Sequence, residues 1–599
     1  MISARKACEA LDEVTQPSFS KDGQLGWLER SAFTNGKTQL LIETSVGIKL
    51  AIPESVSVAS RINEYGGRAW CWADNKLVYV NAKDQQLYIT SENQRPIALT
   101  QELNKRFAEP IYAPALNAIL AICETHTQNT VRHSIVLCTL GDKGLVELDA
   151  RHDFYAGLSL NPLLNELAWV SWNHPDMPWT STHLETATIT PTGLINRSVV
   201  AGQFYKESLT QPRFDPHGNL WVVSDRSGYW NLFRVEPANN QLVNMTNLTS
   251  DCVSSPWQGG LVQYLPDIKT GTIHLQFSSD RISLVCPFNL ELPPDINHIR
   301  EISSFNSRLV VVAASPRVGT HLLEINLTTQ TTTRLRPLNL ESSPALPPRL
   351  ISFKVGTDLV SGYYYPPDTL NDTPPPLLMN LHGGPTSSAY PIYSPLVEYW
   401  TTRGFAFFDL NYRGSSNLGR EYRFKLKGNW GVSEVEDIRA ALDALIHKGL
   451  ASPVNTFIRG RSSGGFSALM ALCEGVKFKA AVSYFGVTDP LGLRSKTHKF
   501  ESHYIDWLIG DPDKNKEGYT QRSPISRAHQ IRCPVLFLQG KLDKIVTPDQ
   551  TEQMHNELLK GGVASELKLF EHEGHGFKDI EVQVLSLELE YDFYRRYLF

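Results

Sequence analysis

A unit of strands and turns repeats seven times within the first 340 residues, and this repeat constrains the fold more than any other feature. Each unit has a turn with Pro, Asp, Asn or Gly, then a short apolar run ending in a polar residue. The units begin at Pro17, Arg68, Pro110, Leu158, Pro212, Trp257 and Glu301, which places successive starts 42 to 54 residues apart. Such a period, built only of strands, is typical of propeller blades, so the sequence predicts an all-β propeller of seven blades. An irregular array of β-sandwiches is the alternative, but sandwiches need no such repeat.

The pattern changes at a stiff connection, residues 337–349, which contains Pro337, Pro344, Pro347 and Pro348. Beyond it, compact apolar runs alternate with helical stretches. The runs are LLMNL (377–381), FAFFDLN (405–411), TFIR (456–459), AAVSYFG (480–486) and PVLFLQ (534–539). Alternation of such runs with helices predicts a doubly wound, mostly parallel sheet. We therefore predict two domains, a β-propeller over residues 1–345 and an α/β domain over residues 346–599.

The clearest helix of the second domain is predicted over residues 433–449. Ser433 with Glu436 three residues later matches a capping box, and Gly449 provides a C-terminal stop. Val435, Ile438, Leu442, Leu445 and Ile446 would then share one apolar face.

The segment from Gly460 to Gly464 matches G-x-S-x-G with Ser462 at its centre. The strand run TFIR precedes it, and the helical run FSALMALCEG follows it. A strand, tight turn and helix in this order form a nucleophile elbow, in which the turn exposes the serine. Ser462 is therefore the predicted nucleophile of an α/β-hydrolase domain. Ser463 is the competing hydroxyl, but no glycine lies two residues before it.

A serine nucleophile needs a histidine base, and the base needs a carboxylate that fixes its tautomer. In α/β-hydrolases the acid and then the histidine follow the serine along the chain, each on a loop after a strand. Asp543 follows the run PVLFLQ, and His575 lies between two glycines after the strand-like ELKLFE. The alternatives are Asp549, in the first turn of the next helix, and His572, closer to the strand.

An oxyanion intermediate needs two hydrogen-bond donors. We predict the backbone N–H of Ser463 and that of Gly384, in the His382–Pro385 loop after LLMNL. His382 itself is predicted to be a structural hydrogen-bonding residue, with a role as base as the alternative.

Several motifs, spread over both halves of the chain, carry a family resemblance. They include EYGGRAW (64–70), SWNHPDMPW (171–179), HGGPTS (382–387), NYRGS (411–415), THKFESHYIDWLIG (497–510), LQGKLDKIV (538–546) and GHGF (574–577). The chain resembles the prolyl oligopeptidase family, in its acylaminoacyl-peptidase and dipeptidyl-aminopeptidase-like branch. The resemblance implies a propeller above an α/β-hydrolase domain, an active site in the cavity between them, and hydrolysis of short peptides.

By this resemblance, Phe500 and Tyr504 fall where aromatic residues wall the pocket for the residue before the scissile bond. Their i, i+4 spacing fits core packing equally well. The chain also departs from the family. Leu418 stands where relatives have a tyrosine, Ile545 where acylaminoacyl peptidases have an arginine, and Arg461 precedes the nucleophile where the branch commonly has glycine.

Composition and short motifs narrow the possible partners, cofactors and cellular location. The net charge is −5 without a basic block, so no nucleic-acid or anionic-membrane partner is expected. No P-loop or His-Glu-x-x-His motif is present, so no cofactor or metal is predicted. Eight scattered cysteines without a Cys-x-x-Cys pair, and no recognisable signal peptide, favour a cytoplasmic location.

The leading prediction is a serine exopeptidase or oligopeptidase acting on short peptides. An amide or ester hydrolase for one small metabolite, and a non-catalytic peptide-binding propeller protein, are the alternatives. The sequence leaves open whether the protein forms a homo-oligomer.

Overall fold

The computed structural model describes residues 1–9, 13–31, 34, 36–92, 94–128, 130–141, 144–203, 206–266, 271–335, 346–368 and 373–598. The chain divides into two compact units. The first comprises the described residues within Met1–Leu11, Pro316–Val318 and Glu341–Phe599, and the second those within Asp12–Ser315 and Gly319–Leu340. Pro337 and Pro344 lie outside the described residues, so the boundary at residue 345 stays a prediction. Residues 1–9, which we predicted in the propeller domain, are grouped with the C-terminal unit.

The second unit consists of seven antiparallel sheets, each made of consecutive strands, which confirms the seven-bladed propeller. The first three sheets contain β1 (Glu13–Phe19), β2 (Leu25–Arg30), β3 (Gln39–Thr44) and β4 (Gly47–Leu50); β5 (Trp70–Ala73), β6 (Lys76–Val80), β7 (Leu87–Thr90) and β8 (Ile97–Ala98); and β9 (Lys105–Ala113), β10 (Ala118–His126), β11 (Val131–Thr139) and β12 (Leu145–Asp149).

The next four sheets contain β13 (Phe154–Leu160), β14 (Glu166–Trp172), β15 (His183–Thr190) and β16 (Gly193–Ala201); β17 (Leu209–Phe214), β18 (Leu220–Ser224), β19 (Asn231–Glu236) and β20 (Gln241–Asn244); β21 (Tyr264–Leu265), β22 (Ile273–Phe277) and β23 (Ile282–Val285); and β24 (His298–Phe305), β25 (Arg308–Ala314), β26 (His321–Asn326) and β27 (Thr331–Arg334). Second strands such as β10 and β25 are buried on both faces, which explains their nearly continuous apolar sequences.

Side chains, not a shared strand, join the first sheet of the propeller to the last. A buried apolar cluster spans both sheets and contains Val14, Leu25, Trp27, Leu41, Val310, Val312 and Leu322. An ion pair of 2.8 Å between Arg308 Nη2 and Glu43 Oε2 adds a polar link. We call this contact region the ring seam.

The first unit is built on an eight-stranded sheet with the order β28-β29-β31-β30-β32-β33-β34-β35. Its strands are β28 (Arg349–Val355), β29 (Asp358–Tyr365), β30 (Leu377–Leu381), β31 (Ala406–Asn411), β32 (Thr456–Arg461), β33 (Ala480–Tyr484), β34 (Val535–Gly540) and β35 (Ser565–Phe570). From β31 to β35 all neighbours are parallel, as predicted, whereas β28 and β29 form an antiparallel edge.

Ten helices belong to the described part of this unit. They are α1 (Ala4–Glu9), α2 (Pro395–Thr401), α3 (Gly419–Phe424), α4 (Ser433–His447), α5 (Ser463–Cys473), α6 (Pro490–Lys496), α7 (Tyr504–Ile509), α8 (Lys516–Gln521), α9 (Pro548–Lys560) and α10 (Ile580–Arg595). Helices α1, α2 and α10 share one apolar core cluster with the sheet, while α5 packs against β30, β32 and β33.

The predicted helix over residues 433–449 is present as α4, but its predicted capping box is wrong. Val432 occupies the N-cap, Ser433 is already helical, and no side chain caps the helix. The carboxylate of Glu434 instead accepts a hydrogen bond of 2.7 Å from the backbone N–H of Gly431. The turn before the helix, which includes Gly431 with a φ of 84°, explains this shift of register.

Candidate active site

The turn between β32 and α5 places Ser462 in an unusual backbone conformation, with φ 53° and ψ −121°. This conformation fits a nucleophile elbow, where a sharp turn exposes the serine. The turn is tight enough to require glycine on both sides. A Cβ at Gly460 would lie 2.1 Å from the backbone of Gly464, and one at Gly464 would lie 2.2 Å from the carbonyl oxygen of Leu381.

Ser462, His575 and Asp543 form a continuous hydrogen-bonded chain. Ser462 Oγ lies 2.9 Å from His575 Nε2, and His575 Nδ1 lies 2.8 Å from Asp543 Oδ2. An ionised carboxylate only accepts hydrogen bonds, so Nδ1 carries the proton and Nε2 is left to accept the serine hydroxyl. These distances are in the range that a serine nucleophile and its base require.

Asp543 is buried and held by several donors. Its Oδ1 accepts hydrogen bonds of 2.9 Å from the backbone N–H groups of Ile545 and Val546, and Gln539 Nε2 donates to Oδ2 at 3.1 Å. Sequence reasoning missed Gln539, although its position at the end of β34 places it beside the acid loop. Thr551 fixes the Gln539 amide by donating a hydrogen bond of 2.9 Å to its Oε1.

The competing residues lie apart from this chain. Asp549 forms an ion pair of 2.7 Å with Lys496, and this partner lowers the pKa of Asp549. His572 is exposed to solvent. The ring of His575, in contrast, packs against Phe485 at a centroid distance of 4.7 Å. Phe485 has a positive φ of 39°, a backbone conformation that sequence reasoning did not predict.

Ser463 and Gly384 line the same cavity as Ser462. Ser463 is the first residue of α5, so its backbone N–H is not used inside the helix. Its hydroxyl accepts a hydrogen bond of 3.2 Å from Trp430 Nε1, and the Trp430 ring stacks on Phe466 at 3.8 Å. These contacts fix the start of α5 beside the nucleophile.

His382 stabilises the loop that carries Gly384. Its Nδ1 lies 2.9 Å from the Gly383 carbonyl oxygen, which can only accept, so Nδ1 is protonated and Nε2 accepts from Ser415 Oγ at 2.8 Å. Burial lowers the pKa of His382 to about 4, so the ring is neutral near pH 7. The ring also stacks on Tyr412 at 4.2 Å. These contacts favour a structural role for His382.

The cavity beside Ser462 has mostly apolar walls. Its apolar lining includes Trp430, Val487, Leu493, Tyr504, Ile505 and Leu508. Ile545, the departure from acylaminoacyl peptidases, is also part of the wall.

The structure separates the two predicted pocket aromatics. Tyr504 lines the cavity, whereas Phe500 is not among the described lining residues. Phe500 and Tyr504 are both only 2% exposed, and Phe500 stacks on His498 at 6.4 Å, so a place of Phe500 in the pocket stays a prediction. Glu501, between them in sequence, contributes the one carboxylate among the described lining residues.

The described residues contain no group of three or more His, Cys, Asp or Glu side chains arranged to hold a metal ion. In the same part of the chain, no helix is long and apolar enough to cross a membrane.

Comparisons with known proteins match the C-terminal region most strongly. The model of the prolyl oligopeptidase family matches residues 392–599. Dipeptidyl aminopeptidase BIII of Pseudoxanthomonas mexicana is 30% identical over 212 residues, which are 34% of this chain and 31% of that protein. The acylamino-acid-releasing enzyme of Arabidopsis thaliana is 30% identical over 211 residues, 33% of this chain and 27% of that enzyme. The matched region thus spans less than a third of these relatives' own length.

Solved structures extend the similarity to the whole chain. A puromycin-hydrolyzing peptidase of Mycobacterium tuberculosis aligns with a TM-score of 0.93 and 30% identity, covering 100% of this chain and 96% of the other. The acylaminoacyl peptidase of Pyrococcus horikoshii aligns with a TM-score of 0.77 at 14% identity, covering 100% of this chain and 97% of the other, which shows a shared fold.

Proposed function

The chain belongs to the prolyl oligopeptidase family of serine peptidases, and on this premise we propose that it hydrolyses short peptides through an acyl-enzyme on Ser462. The observation that carries the proposal is the hydrogen-bonded chain from Ser462 Oγ through His575 to the buried Asp543. We infer a cytoplasmic enzyme from the free, scattered cysteines.

In the proposed mechanism, Ser462 Oγ attacks the scissile carbonyl carbon while His575 Nε2 accepts the hydroxyl proton. Asp543 stabilises the resulting imidazolium and holds its tautomer. The backbone N–H groups of Ser463 and Gly384 stabilise the oxyanion. His575 then gives its proton to the leaving amine, and a water molecule, activated by the same histidine, hydrolyses the acyl-enzyme.

The apolar cavity beside Ser462 is the proposed site for the side chain before the scissile bond. Its apolar lining, with Tyr504 as one wall, suits a small apolar or prolyl side chain. Phe500 is not part of this proposal, because it is not among the described lining residues.

The similarity to the puromycin-hydrolyzing peptidase favours a second candidate, hydrolysis of a small non-peptide amide by the same residues. Comparing kcat/KM for puromycin with kcat/KM for di- and tripeptides distinguishes the two. A peptide rate well above the puromycin rate supports the peptidase, and the reverse order supports the amide hydrolase.

The nucleophile is tested with a fluorophosphonate probe, which labels activated serines. Ser462→Ala is expected to abolish labelling and to lower kcat by roughly 10⁴-fold or more, because the acyl chemistry needs this hydroxyl. Ser463→Ala keeps the backbone N–H of residue 463 and is expected to be labelled. Labelling of the Ser462 variant at the wild-type level would refute the assignment.

A further inference from the structure

Arg461 directly precedes Ser462 in the chain. Its charged side chain has no role in the proposed catalytic mechanism. Its side chain is exposed, and within the described residues it takes part in no hydrogen bond or ion pair. Its guanidinium carbon lies 5.0 Å from the ring centroid of Tyr484, the residue opposite it on β33. Arg461 is therefore a cation without a direct ion-pair partner in the part of the chain that the structure describes.

Glu590, a carboxylate whose charge acts on Arg461, already binds other groups through its Oε2. Glu590 forms an ion pair of 3.3 Å with Arg459 and accepts a hydrogen bond of 2.6 Å from the Tyr484 hydroxyl. Arg461 reaches solvent, but the protein around its guanidinium still desolvates it and, with repulsion from Arg459, lowers the pKa of Arg461. An arginine remains protonated at neutral pH even so. The surroundings thus favour an additional anion at this position.

The position of the guanidinium indicates which side of the scissile bond it faces. Arg461 does not line the apolar cavity proposed for the acyl side. It lies over Tyr484, whose ring is 6.3 Å from that of Phe485, and Phe485 in turn contacts His575 at 4.7 Å. Because His575 must protonate the leaving amine, the leaving group has to lie on this same side.

We propose that Arg461 binds the C-terminal carboxylate of the leaving group, so that the enzyme prefers substrates ending one or two residues after the scissile bond. This inference rests on the proposed function and deepens it. A carboxylate is the anion that every short peptide supplies on its leaving side, and a guanidinium can bind it in a bidentate manner. The interaction would be made by free acids and not by C-terminal amides.

The test uses three substrates that form the same acyl-enzyme: Ala-Ala-Ala, its C-terminal amide and Ala-Ala p-nitroanilide. The readout is the ratio of kcat/KM for the free acid to kcat/KM for the amide. Effects of a substitution on the nucleophile are common to both substrates and cancel in this ratio. We expect a ratio of about 10 to 100 for the wild type, as for loss of one charge-assisted pair.

Arg461→Gln is expected to bring the ratio close to one, and Arg461→Lys to an intermediate value. Arg532→Gln, which removes an arginine elsewhere on the surface, is the matched control and should keep the wild-type ratio. Added salt should lower the ratio of the wild-type enzyme, since exposed ion pairs are screened. This salt titration needs no variant, so it still tests the carboxylate site if Arg461→Gln does not fold.

A wild-type ratio near one, or the same high ratio in Arg461→Gln, overturns the carboxylate site. A lower melting temperature of Arg461→Gln with an unchanged ratio also overturns the carboxylate site. It would mean that Arg461 stabilises the fold by packing on the Tyr484 ring. Continued hydrolysis of the p-nitroanilide in these cases leaves the proposed function standing. A wild-type enzyme that cleaves none of the three substrates overturns both.

Discussion

At the scale of single residues, the two histidines of the loop after β35 differ in their contacts. His575 bridges Ser462 and Asp543, whereas His572 is exposed. We predict that His575→Gln lowers kcat by roughly 10⁴-fold, while His572→Gln stays near the wild-type rate. Steady-state kinetics on one peptide substrate, with circular dichroism as the folding control, measures both. A severe loss in the His572 variant alone would show that the base is assigned to the wrong residue.

Glu434 is a second residue with a measurable consequence. Burial raises the pKa of this carboxyl to about 7, against 4.5 for an ordinary glutamate. The folded protein therefore keeps a proton that the unfolded chain releases, and the free energy of unfolding decreases as pH rises from about 4.5 to 7. Glu434→Gln imitates the protonated acid and should remove up to about 3 kcal/mol of this pH-dependent loss.

Thermal unfolding of wild type and Glu434→Gln at pH 5 and pH 8 provides the measurement. The melting temperature of the wild type should fall more between these pH values than that of the variant. Equal shifts in both proteins would mean that Glu434 is ionised at both pH values.

The three proposed catalytic residues could be picked out from sequence because each sits next to a strand end with a local signal. Ser462 is flanked by glycines, Asp543 follows an apolar run, and His575 lies between glycines. The contributions of Gln539 and Phe485 could not be predicted from sequence. They depend on a hydrogen bond to Asp543 and on a ring contact with His575, which form only in the folded chain. Phe500 was placed in the pocket wall by analogy of position alone, so its place there stays a prediction.

At the scale of elements, α1 shows how a short helix gains its stability from distant partners. Ala7 is fully buried in the core cluster that includes Val584 and Leu587 of α10. We predict that Ala7→Asp lowers the stability of this unit by about 3 kcal/mol or more, because a carboxylate would be buried without a partner. Thermal unfolding followed by loss of probe labelling at Ser462 measures this.

Arg5→Ala is the control for the same helix. Arg5 is exposed and pairs with Glu9 and Glu581, and surface ion pairs contribute little. Its melting temperature should remain near that of the wild type. If Ala7→Asp were equally mild, α1 would not be part of the core in solution.

Strands were predicted more reliably than helix ends and short helices. The runs LLMNL and PVLFLQ became β30 and β34 almost residue for residue, because apolar runs bounded by turns specify buried strands. Helix α1 has only six residues and no sequence signal of its partner, so its unit was not predictable. The start of α4 depended on a turn conformation at Gly431 that residue preferences do not encode.

At the scale of the whole molecule, the propeller is closed by the ring seam, where side-chain packing replaces a shared strand. We predict that Val312→Ala, in this seam, speeds hydrogen exchange in β1 and β24. Val222→Ala removes the same methyl groups from the interior of another cluster and should leave those two strands unchanged. Each substitution should lower the free energy of unfolding by about 1–3 kcal/mol. Equal protection of β1 and β24 in both variants would indicate that the seam opens only with global unfolding.

The grouping of residues 1–9 with the C-terminal unit affects how the protein is made. Helix α1 leaves the ribosome before the propeller, whereas its partner α10 (Ile580–Arg595) leaves after it. At a synthesis rate of 5–20 residues per second, roughly 30–110 s pass between the synthesis of α1 and that of α10. The whole propeller is synthesised in this interval. Ser462 also emerges well before His575, so a growing chain carries a serine without its base. Translation order therefore keeps the proposed catalytic residues apart until His575 has been synthesised.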